Sequence, residues 1–263
     1  NVRCGNGQLM YSMHNIYGMA EALLVRRLLD TLSPSTRPYL LTRSVFPGSA
    51  QHTASWLGDN HSTFPQLRES IWGVLKCNMF SGMAMTGPDL CGFGGESDEV
   101  LCARWMAVGA FFPFSRNHNS IDSTVDQEPY RFNVTLTVTR KYYKLKYSLL
   151  PYWITLFERH RRLLEMVIRP MWLDNESTQF LVGHSIMVCP VTERGMVSVK
   201  CRFGGDRWFD MHTHSVMPME EVQVIDAPVD HLPVFVRAGS VLFRHEPRLS
   251  VMATLRTNYT IDI

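Results

Sequence analysis

The chain has 263 residues, of which 45% are hydrophobic, so it can bury a sizeable core and its composition argues against global disorder. Lys and Arg number 26 and Asp and Glu number 24, and this balance gives no reason to expect nucleic acid or an anionic membrane as a partner. No stretch approaches the ~18 apolar residues of a membrane-spanning helix, so we predict no transmembrane segment in this chain. The first residue is Asn1 rather than Met, which predicts a fragment or a processed product.

In the first 165 residues, apolar runs alternate with amphipathic helical patterns. In chain order we predict a helix over residues 17–32, a strand over 38–42, a helix beginning near Thr63 and a strand over 82–86. A third helix follows, with a cap and two acids at residues 97–99, then an apolar run over 107–114 and a helical region over 135–157 that is kinked or divided at Pro151. Alternation of this kind is typical of βα units around a parallel sheet.

Beyond residue 165 the pattern changes to short strand-like runs separated by Gly and Pro. The runs lie at residues 180–182, 185–188, 196–201, 207–209, 222–225 and 233–236. Their tight spacing predicts an all-β sandwich. We therefore predict an α/β domain over residues 1–165, a β-sandwich domain over 166–245 and the start of a further β-segment over 246–263.

Charged and polar side chains stand where the apolar runs of the first half end. Arg43 ends the first run, Asp59 follows it, Asp89 ends the second run, and Arg116-Asn117-His118-Asn119 end the third. A (β/α) barrel presents its active site in this way. A carboxylate flanked by Arg and His suits chemistry on a neutral, polyhydroxylated substrate such as a sugar. A lone Asp after a strand is more often a turn or capping residue, so Asp59 gains its weight from this context.

Two features favour the secretory pathway. Cys91 and Cys102 lie close in sequence across a Gly-rich turn. Asn-x-Ser/Thr sequons occur at Asn60, Asn133, Asn175 and Asn258. Such triplets also arise by chance, and we do not expect glycosylation at Asn60 because it is next to Asp59.

Six motifs occur in a fixed order along the first half. They are HNIYG at 14–18, LTRS at 41–44, WLGDN at 56–60, DLCGF at 89–93, CARWM at 102–106 and GAFFPFSRNHN at 109–119. In order and spacing they resemble glycoside hydrolase family 31, and within it the maltase-glucoamylase, sucrase-isomaltase and lysosomal acid α-glucosidase group. Downstream, RP at 169–170, CP at 189–190, WFD at 208–210 and VFVRAG at 234–239 resemble the C-terminal β-domain of that family.

The resemblance implies an α/β fold, the second half of a (β/α)8 TIM barrel followed by an all-β sandwich domain. It implies a retaining exo-α-glucosidase that releases terminal α-linked glucose from maltose-like oligosaccharides, with no metal and no organic cofactor. The implied roles are Asp59 as general acid/base, Arg43 and His118 as hydrogen-bond partners of the sugar, Asp89 as a residue that orients Arg43 or borders the site, Trp56 and Phe93 as apolar walls, and Cys91 and Cys102 as a disulfide.

One part of the family pattern is missing from this chain. The family's nucleophile is the Asp of a Trp-x-Asp-Met-Asn-Glu strand that lies upstream of the HNIYG-like motif, which begins here at residue 14. We therefore expect the chain to require an upstream half of the barrel. The segment WLDNE at 172–176 is similar but lacks the Met and follows the last barrel helix, so we do not assign it a catalytic role.

Two other interpretations stay open at this point. The chain could be a non-catalytic glycan-binding or regulatory fragment that uses Arg43, His118 and the aromatic walls without a nucleophile. It could also belong to an enzyme with another family 31 activity, such as glycan trimming. The pair His212 and His214 has no third ligand at a plausible spacing, so we predict no metal site there.

Overall fold

Parallel strands and helices alternate in the first half of the chain. The computed structural model describes residues 2–171 and 178–262. The WLDNE segment and the sequon at Asn175 lie outside the described residues. The elements are α1 (Met10–Leu32), β1 (Leu41–Thr42), β2 (Ala54–Trp56), α2 (Phe64–Phe80), β3 (Thr86–Gly87), β4 (Asp89–Leu90), α3 (Glu99–Gly109), β5 (Arg116–Asn117), α4 (Asn133–Ser148) and α5 (Leu150–Leu163). This order confirms the predicted alternation of strands and helices.

The strands of this half are neighbours in chain order. β1 pairs with β2, β2 with β3 and β4 with β5, and every one of these pairings is parallel. Only Pro88 separates β3 from β4, so the two form one interrupted strand. The carboxyl ends of parallel neighbours meet at one edge of the array, and the motifs that follow the strands are collected there.

Local signals in the sequence account for the helix starts. The Thr63 side chain accepts a hydrogen bond from the Gln66 backbone N–H at the start of α2, and the Asp98 side chain does the same for Leu101 at the start of α3. The predicted division at Pro151 is also present, because α4 ends at Ser148 and α5 begins at Leu150 with Pro in its first turn.

Several predicted elements differ from the structure in their bounds. The predicted strand over 82–86 shares only Thr86 with β3. The first helix begins at Met10 rather than at residue 17. The apolar run over residues 107–114 is the end of α3 and the turns that follow it, and the strand β5 contains only Arg116 and Asn117. The reason is that every residue of α3 from Leu101 to Gly109 is buried, and a helix that is buried all round has the unbroken apolar character of a buried strand.

The second half is an antiparallel β module. Its elements are β6 (Ile168–Pro170), β7 (Phe180–Val182), β8 (Ile186–Val188), β9 (Ser198–Arg202), β10 (Trp208–Asp210), β11 (Val222–Asp226), β12 (Val234–Arg237), β13 (Leu242–His245), α6 (Val251–Thr254) and β14 (Tyr259–Asp262). Five strands form one sheet in the order β10-β12-β8-β7-β6, while β9 pairs with β11 and β13 with β14. The domain limits at 165 and 245 stay predictions. The strand β13 ends at residue 245, and its partner β14 lies beyond that limit.

A buried arginine joins the two halves. Arg104 of α3 is 6% exposed, and its guanidinium donates hydrogen bonds to backbone carbonyl oxygens of the β module. The acceptors are those of Met196, Ala227, Pro228 and His231, at 2.9, 2.7, 3.0 and 3.4 Å. A delocalised cation with a fork of donors suits such a cluster of carbonyls, so Arg104 fixes the position of the module against the barrel helix.

The helix α1 contrasts with α2 and α3 in its burial. Ala22 is its only fully buried residue, whereas Tyr11, Leu24, Leu28 and Leu32 are 94%, 68%, 55% and 69% exposed. A large exposed apolar surface of this kind marks a contact site. No helix within residues 2–171 and 178–262 has both the length and the apolar character that crossing a bilayer requires.

Candidate active site

Asp59 lies in the loop that follows β2, next to the arginine that follows β1. The Arg43 Nη2 and Asp59 Oδ2 atoms are 3.9 Å apart, and the two side chains are 61% and 51% exposed. Gly58 has a φ of +82°, and a Cβ built on it would lie 2.8 Å from the Arg43 Nε atom. Glycine at position 58 therefore gives the Arg43 guanidinium the room to approach Asp59.

Asn60 connects this loop to the loop that follows β4. Its side-chain amide donates to the Asp89 carbonyl oxygen at 2.9 Å, and its Oδ1 accepts from the Phe93 backbone N–H at 3.1 Å. The residue is 9% exposed. Because both ends of the amide are engaged inside the fold, Asn60 is part of the scaffold of the site and a poor acceptor for a glycan.

Asp89 forms an ion pair with Arg116. The two residues are register partners on the parallel strands β4 and β5, and the Arg116 Nε donates to Asp89 Oδ1 at 2.9 Å while Nη2 contacts the same oxygen. The Asp89 side chain is 1% exposed. Its burial raises the pKa of the carboxyl above the usual value, and the hydrogen bond and charge of Arg116 oppose that rise.

These contacts bear on the two alternatives implied for Asp89, and its place at the border of the site stays a prediction. Asp89 does not orient Arg43, because its carboxylate is bound to Arg116, and Arg43 has Asp59 as its partner instead. Arg116 is thus a residue of the site whose role the sequence analysis missed. The available signal was its place at the end of the strand after Asp89, since residues at the ends of neighbouring parallel strands come together.

Aromatic rings surround these charged groups. The rings of Phe93 and His118 have centroids 5.4 Å apart, and the Arg116 guanidinium lies 5.1 Å from the centroid of the Trp56 ring. His118 is exposed, while Trp56 and Phe93 are half-buried. Rings in this arrangement can cover an apolar sugar face and keep water away from it.

The turn that carries Asp89 and Phe93 has a fixed shape. Cys91 and Cys102 form a disulfide that ties the end of β4 to α3. Gly92 has a φ of +97°, and a Cβ on it would lie 2.5 Å from backbone atoms of Ser62. The glycine is therefore required by both its conformation and the close approach of the loop after β2.

The predicted residues form two groups in the structure. Arg43 and Asp59 make one group, and Asp89, Arg116 and the aromatic rings make the other. Asn60 joins them through its hydrogen bond to the Asp89 carbonyl oxygen, and the charges of His118 and Asp59 act in opposite directions on the pKa of Asp89. Within residues 2–171 and 178–262, no cluster of three His, Cys, Asp or Glu side chains has the geometry to hold a metal ion.

Two family models account for most of the chain. The model described as "Glycosyl hydrolases family 31 TIM-barrel domain" matches residues 3–156, and that described as "Glycosyl hydrolase family 31 C-terminal domain" matches residues 164–242. The chain belongs to glycosyl hydrolase family 31. The fold is accordingly a part of a TIM barrel followed by a β-domain, as predicted.

Relatives of this family 31 chain are considerably longer than it is. An alpha-glucosidase of Mucor javanicus is 39% identical over 96% of the chain, which spans 31% of that protein. The intestinal sucrase-isomaltase of Oryctolagus cuniculus is 35% identical over 93% of the chain and 14% of that protein. The crystal structure of an ER glucosidase II heterodimeric complex matches with a TM-score of 0.91 at 30% identity, over 98% of the chain and 30% of the matched chain.

Proposed function

We propose that the protein containing this chain is a retaining exo-α-glucosidase, which hydrolyses terminal α-linked glucose from maltose-like oligosaccharides. The observation that carries the proposal is the exposed Asp59 beside Arg43 at the carboxyl ends of parallel strands, in a chain of family 31. The relatives named alpha-glucosidase and sucrase-isomaltase support the same chemistry.

The roles follow from what each side chain can reach. Asp59 would protonate the glycosidic oxygen of the leaving group, and its carboxylate would then take a proton from the water that hydrolyses the glycosyl-enzyme. Arg43 and His118, both at the open face of the site, would donate hydrogen bonds to sugar hydroxyls. Trp56 and Phe93 would pack against the C–H face of the ring, and Asp89 would act through Arg116 as a positioning residue.

Hydrolysis with retention of the anomeric configuration needs a second carboxylate about 5–5.5 Å from the first. Asp89 is unsuited to that part, because its side chain is 1% exposed and bound to Arg116. We therefore place the nucleophile in a preceding half of the barrel. The exposed apolar face of α1 supports this, since a neighbouring helix of the same barrel would cover Leu24 and Leu28, which are 68% and 55% exposed.

The same proposal includes maturation in the secretory pathway. The Cys91–Cys102 disulfide is typical of an oxidising compartment. The sequon asparagines Asn133 and Asn258 are exposed, so a glycan could be attached to either. Relatives described as intestinal and as an ER enzyme agree with this general route.

The test is the variant Asp59→Asn in the full-length protein. We expect turnover of maltose to fall by about 10²–10⁴-fold, since the amide cannot donate the proton. An α-glucosyl fluoride needs no protonation of its leaving group, so its first step should survive better and azide should trap the glycosyl-enzyme. Asp122→Asn, at an exposed loop position, is the matched control. Maltase activity that persists in Asp59→Asn would remove Asp59 from this role.

A non-catalytic glycan-binding protein is the second candidate, because Asp89, the other carboxyl group of the candidate site, is 1% exposed and bound to Arg116. Calorimetry on the wild-type full-length protein separates the two. Binding of glucose or maltose without any hydrolysis would favour the second candidate. Release of glucose from a glycan substrate in preference to maltose would instead indicate the glycan-trimming activity.

A further inference from the structure

Two cysteines meet in the interior of the β module. Cys189 directly follows β8 and Cys201 belongs to β9, and they are 1% and 0% exposed. They belong to one buried cluster, which also contains Leu181, Met187, Phe203, Trp208 and Phe235. Neither cysteine has a role in the candidate active site.

The strand geometry directs both side chains into the same layer. Successive side chains of a strand alternate between faces, so Cys189 points to the same face as Met187, and Cys201 to the same face as Val199. All four are in or against the cluster between the five-stranded sheet and the β9–β11 pair. In the structure both cysteines are buried free thiols of this one cluster, and Cys201 is the neighbouring thiol that adds to the raised pKa of Cys189.

The other cysteines show what distinguishes this pair. Cys4 and Cys77 are partly exposed free thiols, whereas the free thiols of Cys189 and Cys201 are buried. Cys91 and Cys102 already form a disulfide, which persists in an oxidising compartment and not in the reducing cytosol. A pair of thiols in one buried cluster of the same chain experiences those same conditions.

We propose that Cys189 and Cys201 form a second disulfide, which links the five-stranded sheet to the β9–β11 pair. Each thiol gives up its proton and together they give up two electrons as the Sγ–Sγ bond forms. The oxidant is another disulfide, that of a thiol–disulfide oxidoreductase or of oxidised glutathione, which is reduced to two thiols. This inference does not depend on the proposed hydrolase activity, but it rests on the proposed maturation in the secretory pathway.

Burial decides when this bond can form. It raises the pKa of Cys189 well above its usual value, and the adjacent Cys201 thiol adds to that rise. Because the thiolate is the attacking species, exchange in the folded module is slow. We therefore expect the bond to form while the module is still open, and to resist reductants after the module has closed.

Peptide mapping of the full-length protein, purified from a secreting host, tests the proposal. Free thiols are blocked with N-ethylmaleimide in denaturant before digestion with trypsin. We expect the peptide of residues 163–194 to be linked to the dipeptide Cys201-Arg202 with the loss of two hydrogens. The peptide of residues 77–104 is the internal reference, because it contains the free Cys77 and the Cys91–Cys102 disulfide. Maleimide on Cys189 and Cys201 at the occupancy of Cys77, with Cys91–Cys102 intact, would overturn the proposal.

A second measurement uses the variant Cys201→Ala with Cys77→Ala as its matched control. Loss of a cross-link across this short loop should change the unfolding equilibrium on the order of 100-fold. When wild type and variant are compared in a reductant that opens the bond in the unfolded chain, the effect of Cys201→Ala should shrink. The effect of Cys77→Ala should stay the same. A reductant-independent effect of Cys201→Ala would contradict the disulfide.

Discussion

The helices α1 and α3 belong to the same barrel but differ in what surrounds them. α3 is buried from Leu101 to Gly109, because the strands lie on one side of it and α4 and the β module on the other. α1 has one fully buried residue and exposes Leu28 at 55%. The sequence of α3 is apolar almost throughout, whereas the apolar side chains of α1 lie in helical register among charged ones. The difference shows that burial in a barrel depends on having neighbours on both sides.

The variant Arg104→Met removes contacts between the buried helix α3 and the β module, and it has the largest expected effect on stability. It removes the guanidinium that donates to carbonyl oxygens of the β module, among them that of Ala227 in a buried hydrogen bond. The Pro228 carbonyl keeps the His231 backbone N–H as its partner. We expect a loss of about 3 kcal/mol or more in the free energy of unfolding. Calorimetric melting of the full-length protein measures it.

The matched control is Arg140→Met, at an exposed position of α4. It should change the free energy of unfolding by less than about 0.5 kcal/mol. Arg104→Lys should fall between the two, because it keeps the charge and loses the planar fork. An Arg104→Met protein as stable as the control would mean that the carbonyl cluster contributes nothing to the junction.

The variants Leu28→Ala in α1 and Leu101→Ala in α3 compare the burial of the two helices directly. Leu101 is 1% exposed, so its truncation should cost about 2–5 kcal/mol. Leu28 is 55% exposed, and truncation of a side chain with that exposure should cost little. If a preceding barrel half covers α1, as proposed, Leu28→Ala in the full-length protein should instead cost about 2 kcal/mol. Denaturant melts of both variants decide this, and a near-zero cost for Leu28→Ala would leave the face of α1 uncovered.

Much of the fold was predictable because its signals are local. The cap at Thr63, the cap at Asp98 and the break at Pro151 all act within one helical turn, and the structure has a helix boundary at each. The apolar run over 107–114 could not be assigned to a helix or a strand, because helical periodicity is lost when a helix is buried on every side. Burial of that kind depends on α4 and the β module, which are distant in sequence.

The positions of the site residues in the sequence were predictable, but one of the contacts between them was not. The ends of the apolar runs located Arg43, Asp59 and Asp89 at one edge of the sheet. The pairing of Asp89 with Arg116 was not found, because it depends on the register of β4 against β5. Register is set by side-chain packing across strands, which no single run of residues specifies.

Lys144 and Lys146 are an exposed and a buried residue of the same helix, α4. Their substitution has the smallest expected effect on stability. Lys144 is exposed, whereas the Lys146 ammonium donates to the Phe112 carbonyl oxygen and, at 3.0 Å, to Ser115 Oγ. Burial lowers the pKa of Lys146 to about 7.

The unfolded chain keeps this proton up to a pH of about 10.4, whereas the folded chain releases it near pH 7. Between these values the unfolded state binds one more proton, so stability rises with pH, by about 1 kcal/mol between pH 7 and 8. Urea titrations should show that Lys146→Met loses this rise and that Lys144→Met keeps it. An equal rise in both variants would mean that Lys146 keeps its proton in the folded protein, and that its two hydrogen bonds compensate for burial of the charge.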